Sequence, residues 1–349
     1  MGKNKKQDKK QNKKDVIKNV EKVIDNFPFV SICTPTFNRR PFIPYIIKCF
    51  ENQDYPKDKM EWIIIDDGTD KIEDLFINVP QVKYFKYDEK MRLGKKRNIA
   101  HEKSIGSIIV YMDDDDYYPH DRVSHAVDML LKNPHALCAG SSEMHIYFKH
   151  IEKLYKFGPY GPNHSTAATF AFRRKLLLQT SFDETAAVAE EKHFLKNYTI
   201  PFVQLETTKS ILVFSHDHNS FDKKSLLETP NDYVKISEKT VDDFIKESEL
   251  KKFFMEDVDI IIKEYHPGRI EHKPDVLKQI AELKMKREKM IEDFKKQQQN
   301  NGNCNSEQQR VIVLFQKKIN EMSVAMQEII MENNLLKDKV KYLENKLKD

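Results

Sequence analysis

The chain has 349 residues, 33% of them charged, which is long enough for one large or two smaller domains and too polar for a single compact globule. Its 59 Lys and Arg against 55 Asp and Glu leave a net charge of +4. Much of that excess sits in the Lys-, Asn- and Gln-rich residues 2–18, so the remainder is near neutral and nucleic acid is not an expected partner. No apolar run approaches the ~20 residues of a membrane span, and the amino terminus has no secretory h-region. Lys6 stands where a myristoylation site needs Ser or Thr. Cys33, Cys49, Cys138 and Cys304 lack metal-ligand spacing, and three of them sit in apolar contexts as core thiols. These features point to a soluble, cytoplasmic protein whose residues 1–26 form a basic, disordered tail.

In chain order, Phe29-Val30-Ser31-Ile32-Cys33-Thr34 reads as a first strand, ending at Pro35-Thr36-Phe37-Asn38-Arg39. A helix follows from Pro41, with Ile43, Ile46, Ile47 and Phe50 on one face. Trp62-Ile63-Ile64-Ile65 is a second buried strand, stopped by Asp66-Asp67-Gly68-Thr69, and Val82-Lys83-Tyr84-Phe85 is a short third. Gly94 to Ala100 opens another helix. The apolar run from Ile108 to Met112 is a fourth strand, which delivers Asp113, Asp114, Asp115 and Asp116. Adjacent carboxylates repel, steeply so without water. A hard divalent cation such as Mn²⁺ or Mg²⁺ relieves that repulsion with oxygen ligands. The order of elements describes an α/β domain with a mostly parallel sheet, and three polar clusters at one sheet edge make a binding crevice.

Past Asp121 a helix carries Val123, Val127, Leu130 and Leu131. A β-rich stretch from Ala136 to Phe157 leads into the loop from Gly158 to His164. Glu190-Glu191 opens a short helix, and a last strand, Ile211 to Phe214, delivers residues 215–220 with His216 and His218. Residues 226–296 are expected to be a helical extension, and 297–306 a polar linker. From Ile312 to Leu347, apolar residues recur at alternating spacings of three and four through five heptads, with Asn333 at an a position. Glu332 with Lys337 and Lys339 with Glu344 make attractive pairs in a parallel coiled-coil homodimer over 307–349. The competing arrangement is an intramolecular hairpin with the helix that carries Val276, Ile280, Leu283, Met290 and Phe294.

Taken together, residues 28–220 resemble the family 2 glycosyltransferases of GT-A fold. The opening Thr34-Pro35-Thr36-Phe37-Asn38-Arg39, the turn Asp66-Asp67-Gly68-Thr69, the segment Gly94 to Ala100, the Asp113–Asp116 cluster and the pair Glu190-Glu191 are similar to that family's motifs, in its order. The resemblance implies a Rossmann-like nucleotide-diphospho-sugar transferase domain over residues 27–225. It implies a metal-dependent, inverting transfer from a UDP-sugar to a hydroxyl acceptor on a protein, glycan or lipid.

The same resemblance assigns roles. Pro35, Phe37, Arg39, Asp67, Lys95, Arg97, Asp113 and Asp114 would bind the nucleotide sugar. Phe37 would stack on the base, Asp67 would accept a base N–H as suits uracil, and Lys95 and Arg97 would sit near the diphosphate at a helix N-terminus. Asp115 and Asp113 would hold Mn²⁺ or Mg²⁺, with His216 or His218 as a further ligand. Glu191 would be the catalytic base and Glu190 its orienting neighbour, the two roles being exchangeable on sequence alone. Glu191 departs from the family, which more often has Asp there. Asn163 and Thr166 would face the acceptor. The alternative is a catalytically inactive nucleotide-sugar-binding scaffold that recruits partners through its coil; retention of the aspartates, the basic segment and the acid pair argues against it. A nucleotidyltransferase would want a Gly-rich signature after the first strand, where this chain has no glycine.

Overall fold

The computed structural model describes residues 27–186, 190–227 and 232–300. The basic tail, the linker beyond Asn300 and the heptad segment therefore lie outside the described residues. The chain up to Ala281 makes one compact unit, and a second begins at Glu282.

Four strands form the frame: β1 Val30–Thr36, β2 Met60–Asp66, β3 Val82–Lys86 and β4 Ile108–Tyr111. Their side chains alternate between two apolar layers, as a strand period of two requires. Val30, Ile32, Trp62, Ile64, Ile108 and Val110 enter one layer. Cys33, Ile63, Ile65, Ile109 and Tyr111 enter the other. Burial on both faces explains why these strands read as continuous apolar runs. Helix α1 (Ile43–Glu51) adds Ile43, Ile46 and Phe50 to the first layer, and α2 (Leu93–Lys103) adds Ala100 to the second.

Helix α3 (Arg122–Lys132) joins the first layer through Val123, Ala126, Val127 and Leu130, whereas Leu131 is exposed. The remaining strands are β5 Cys138–Gly140, β6 Met144–Phe148, β7 Lys153–Phe157, β8 Ala171–Arg173, β9 Phe202–Gln204, β10 Val213–Ser215 and β11 Val234–Ile236. The main sheet runs β3-β2-β1-β4-β8-β5-β9. Only β8 is antiparallel to its neighbours, so the sheet is mixed but mostly parallel. A second sheet runs β10-β6-β7-β11.

The chain moves outward from β1 through β2 to β3, then returns to place β4 on the other side of β1. The carboxyl ends of β1 and β4 thus flank a topological switch point, where open α/β sheets bind ligands.

Residues 226–270 differ from the helical expectation. β11 pairs Val234 with Phe157 and extends the second sheet, because its β-branched residues find a free edge on β7. Apart from short 3₁₀ turns at Lys223–Leu227 and Val241–Asp243, the helices come later, as α5 (Ser248–Lys252), a π-helical turn (Phe253–Asp257) and α6 (Val258–Glu264). Phe253 and Phe254 anchor them, with Phe254 stacked 4.8 Å from Phe214. The last helix, α7 (Pro274–Asn300), continues through Gln297 to Asn300 rather than stopping before them, since glutamine is a good helix former.

Candidate active site

Two turns lock the base of a cleft of about 320 Å³ at the switch point. After β1 the chain turns at Asn38, whose φ of 52° is left-handed, a conformation asparagine tolerates better than most residues. Its side-chain amide donates to Thr69 Oγ1 (3.1 Å) and to the Pro267 carbonyl (2.9 Å), and its carbonyl accepts from the Asp70 N–H (3.0 Å). Gly68 lies so close that a Cβ there would meet Asn38 Oδ1 at 2.6 Å and its backbone N at 2.7 Å. Asp66 serves this turn, accepting from the Gly68 N–H (2.8 Å) and the Tyr84 hydroxyl.

Phe37 lines the cleft, whereas Asp67 lies outside its lining. Asp67 is buried, held by Lys96 Nζ at 2.8 Å and by the Met91 N–H. Lys90 and Lys96 ammonium groups lie 5.1 and 5.9 Å from the Phe37 ring centre, near enough for cation–π attraction. Lys95 is exposed and outside the cleft lining, so the structure gives the inward position to Lys96. The register of α2 fixes this, because its Gly94 packs against the Asp183 carbonyl with no space for a Cβ. The neighbouring Asn98 clasps Phe182 by two backbone hydrogen bonds (3.0 and 2.9 Å), tying α2 to the chain that leads to Glu190.

The four aspartates divide. Asp113 faces Arg97 at 3.4 Å, and its N–H donates to the Tyr118 hydroxyl at 2.6 Å. Arg39 bridges the next two, at 3.4 Å to Asp114 and 3.0 Å to Asp115. Burial pushes Asp114 up to about 6, with the Asp115 charge adding to the rise against Arg39. Burial disfavours the Asp115 carboxylate too, but the positive charges around it, Arg39 first, outweigh that and hold the group below the usual carboxylate range. Burial and the Asp115 charge raise Asp116 well above it, and its Oδ1 is buried with no partner.

His216 Nε2 is 3.6 Å from Asp115 Oδ2. Neither histidine lines this cleft, and His218 packs against Gly268. Of the two histidines, only His216 reaches the carboxylates. Among the described residues, no three His, Cys, Asp or Glu side chains stand together as a formed metal site, Arg39 being inserted between Asp114 and Asp115. The donor set nevertheless fits a hard divalent cation: crowded carboxylates, one buried oxygen lacking a partner, and a neutral imidazole.

Glu190 and Glu191 have opposite surroundings. Arg97 Nε donates to Glu190 Oε1 at 2.9 Å inside the protein. Glu191, the first residue of the short helix α4 (Glu191–Phe194, preceding β9 in sequence), has no such cation. Burial and then the Glu190 charge push it up to about 7, the range that suits a general base. Asn163 and Thr166 do not line the cleft, although Ala167 and Ala168 do.

The sequence reading overlooked the far wall. Lys223, Ser220, Lys273, Asp275 and Val276 also line the cleft, and Lys90 pairs with Asp275. Lys273 is only 4% exposed. Its ammonium donates to Ser220 Oγ at 3.0 Å and has no carboxylate partner, and burial with Arg39 nearby lowers its pKa well below that of an ordinary lysine. No local motif marks these residues: Ser220 and Lys223 lie between β10 and β11, and Lys273, Asp275 and Val276 fold back from beyond β11.

Residues 31–188 match the model of Glycosyl transferase family 2. A glycosyltransferase of Haemophilus influenzae, described as uncharacterized, is 32% identical over 113 residues, covering 31% of this chain and 44% of the relative. The poly(ribitol-phosphate) beta-N-acetylglucosaminyltransferase TarS of Staphylococcus aureus is 28% identical over 108 residues, covering 28% of this chain and 18% of TarS. Among solved structures, the mannosyltransferase PcManGT from Pyrobaculum calidifontis, in complex with GDP-Man and Mn²⁺, aligns with a TM-score of 0.44 at 19% identity. That alignment covers 53% of this chain and 56% of the other. The chain spans less than half the length of the two curated relatives.

Proposed function

From the match of residues 31–188 to glycosyltransferase family 2 we propose that the protein is a metal-dependent, inverting transferase. It moves a sugar from a nucleotide-diphosphate donor, a UDP-sugar first, to a hydroxyl acceptor. The observation that carries this reading is the pair Glu190 and Glu191. Of two adjacent carboxylates on the nucleotide cleft, Glu190 is ion-paired with Arg97, while burial and the charge beside it raise Glu191 to about 7, where it can take up a proton near neutral pH.

In this reading Phe37 packs on the base and Asp67 accepts its N–H. Lys96 fixes Asp67, while Arg97 and Lys273 face the diphosphate. Asp113 lies by the ribose. Asp115, with Asp113 and His216, would hold Mn²⁺ or Mg²⁺. A cation bound there would add positive charge beside the leaving diphosphate.

Glu191 takes the proton from the acceptor hydroxyl as that oxygen attacks the anomeric carbon. The bond from that carbon to the diphosphate oxygen breaks, and the diphosphate leaves with the electron pair. Glu190 keeps Arg97 in place through its 2.9 Å hydrogen bond. Self-association through residues 307–349, as a parallel coil, belongs to the same proposal.

UDP release from a panel of UDP-sugars, with acceptor extracts supplied, tests this. Glu191→Gln should lower turnover by orders of magnitude while UDP affinity is kept. Equal turnover in the variant would remove Glu191 from the chemistry.

A further inference from the structure

Outside the nucleotide cleft, four rings form a continuous row. Tyr233 is 5.2 Å from Tyr160, Tyr160 is 4.8 Å from His164, and His164 is 4.9 Å from Tyr198, centre to centre. The outer two are open, Tyr233 at 50% and Tyr160 at 40% exposure, while His164 and Tyr198 are half-buried. At the inner end, Tyr198 follows directly on the short helix that Glu191 opens, the Leu195 N–H donating to the Glu191 carbonyl (2.9 Å) and the Thr199 N–H to the Leu195 carbonyl (3.0 Å), and the Glu191 charge adds to burial in raising the Tyr198 hydroxyl.

The row is built rather than incidental. Ser142 Oγ accepts the N–H groups of Tyr160 (2.8 Å) and Gly161 (3.2 Å). The Gln204 side-chain amide donates to the carbonyls of Pro162 (2.7 Å) and His164 (3.0 Å). At the other end, Lys196, Asn197 and Tyr198 are three consecutive non-glycine residues in the left-handed region, with φ of 48°, 55° and 63°. A bulky residue held there is strained, and such strain persists where the surroundings over-determine it, commonly at a ligand site.

We propose that this row is the acceptor site, and that the acceptor is a carbohydrate chain. The inference rests on the transferase reading above, because it supplies the hydroxyl that Glu191 deprotonates. Each ring offers an apolar face and a polar edge. A sugar ring offers the complement, a face of C–H bonds rimmed by hydroxyls. A lipid tail would need a lining of aliphatic side chains in place of phenol and imidazole edges. An acidic peptide would need cations among the rings, and the row contains none at neutral pH, burial lowering the His164 pKa further.

The test uses the full chain, loaded with UDP and Mn²⁺, on a printed array spanning hexose, N-acetylhexosamine, pentose and deoxyhexose glycans. Titration with the soluble form of any glycan bound follows. Binding to one class of glycan is expected, about tenfold or more weaker in Tyr160→Ala and in Tyr233→Ala, and restored in Tyr160→Phe, which keeps the ring face. Circular dichroism confirms that each variant is folded, and either alanine variant suffices. A silent array, or binding that both alanine variants retain in full, overturns the proposal. UDP is titrated alongside: if it fails to bind the unaltered protein, the donor reading falls and takes this proposal with it. UDP binding with a silent array removes the carbohydrate site alone.

Discussion

Replacing Glu190 by Gln should shift the pH dependence of turnover toward acid without abolishing activity. Glu191 stands at about 7 against its ordinary 4.5, first through burial and second through the Glu190 charge. Glutamine keeps the shape and still offers an acceptor to Arg97 Nε, now 2.9 Å from the Glu190 oxygen, but removes the like charge. Burial, the larger cause, remains. The fall is therefore less than half of the displacement, roughly 1 pH unit or ~1.4 kcal/mol. The sign follows from the role: a base works deprotonated, so turnover falls about tenfold per unit below its pKa, and a lower pKa extends activity to lower pH. The assay is kcat from UDP release at saturating donor, from about pH 5 to about pH 9. The unaltered protein should show an acid limb with its midpoint near 7, and the variant a limb about one unit lower. A midpoint that stays fixed, or that moves upward, would refute the assignment of Glu191 as base with Glu190 as the charge beside it.

Other expectations follow from single contacts. Gly68→Ala forces a Cβ against Asn38 and should destabilise the fold by about 2 kcal/mol, read as a lower melting temperature; an unchanged melt would contradict that packing. Lys273→Met should weaken UDP about tenfold and leave uridine binding unaltered, since the lysine's role is toward phosphate. Calorimetry on both ligands decides it, equal losses pointing instead to a structural role. Deleting residues 307–349 should give a monomer by light scattering with the nucleotide affinity intact. A truncated chain that keeps the oligomeric mass would place self-association elsewhere.

The frame was legible because buried parallel strands are apolar without interruption. Runs such as Trp62–Ile65 and Ile108–Met112 admit few other readings. The polar clusters after β1, β2 and β4 were legible because strand ends concentrate them at one edge. The choice between Lys95 and Lys96 was not, since it depends on the rotation of α2, which Gly94 sets through a contact with Asp183 distant in sequence. Nor was the choice between His216 and His218. Two residues on an irregular loop have no periodicity to orient them, and only packing brings His216 to Asp115. Lys273 was invisible for a related reason: its surroundings are Arg39, Ser220 and the aspartates, none of them its neighbours along the chain. The ring row was equally hidden, since Tyr160, His164, Tyr198 and Tyr233 share no spacing.

The measurement that most directly tests the central claim is calorimetric titration of UDP into the full chain, with Mn²⁺ and again with EDTA. Metal-dependent transfer predicts binding with Mn²⁺ that weakens sharply in EDTA, and an Asp115→Ala variant that shows the weak affinity under both conditions. UDP affinity equal in Mn²⁺ and EDTA, or no binding in either, would contradict it.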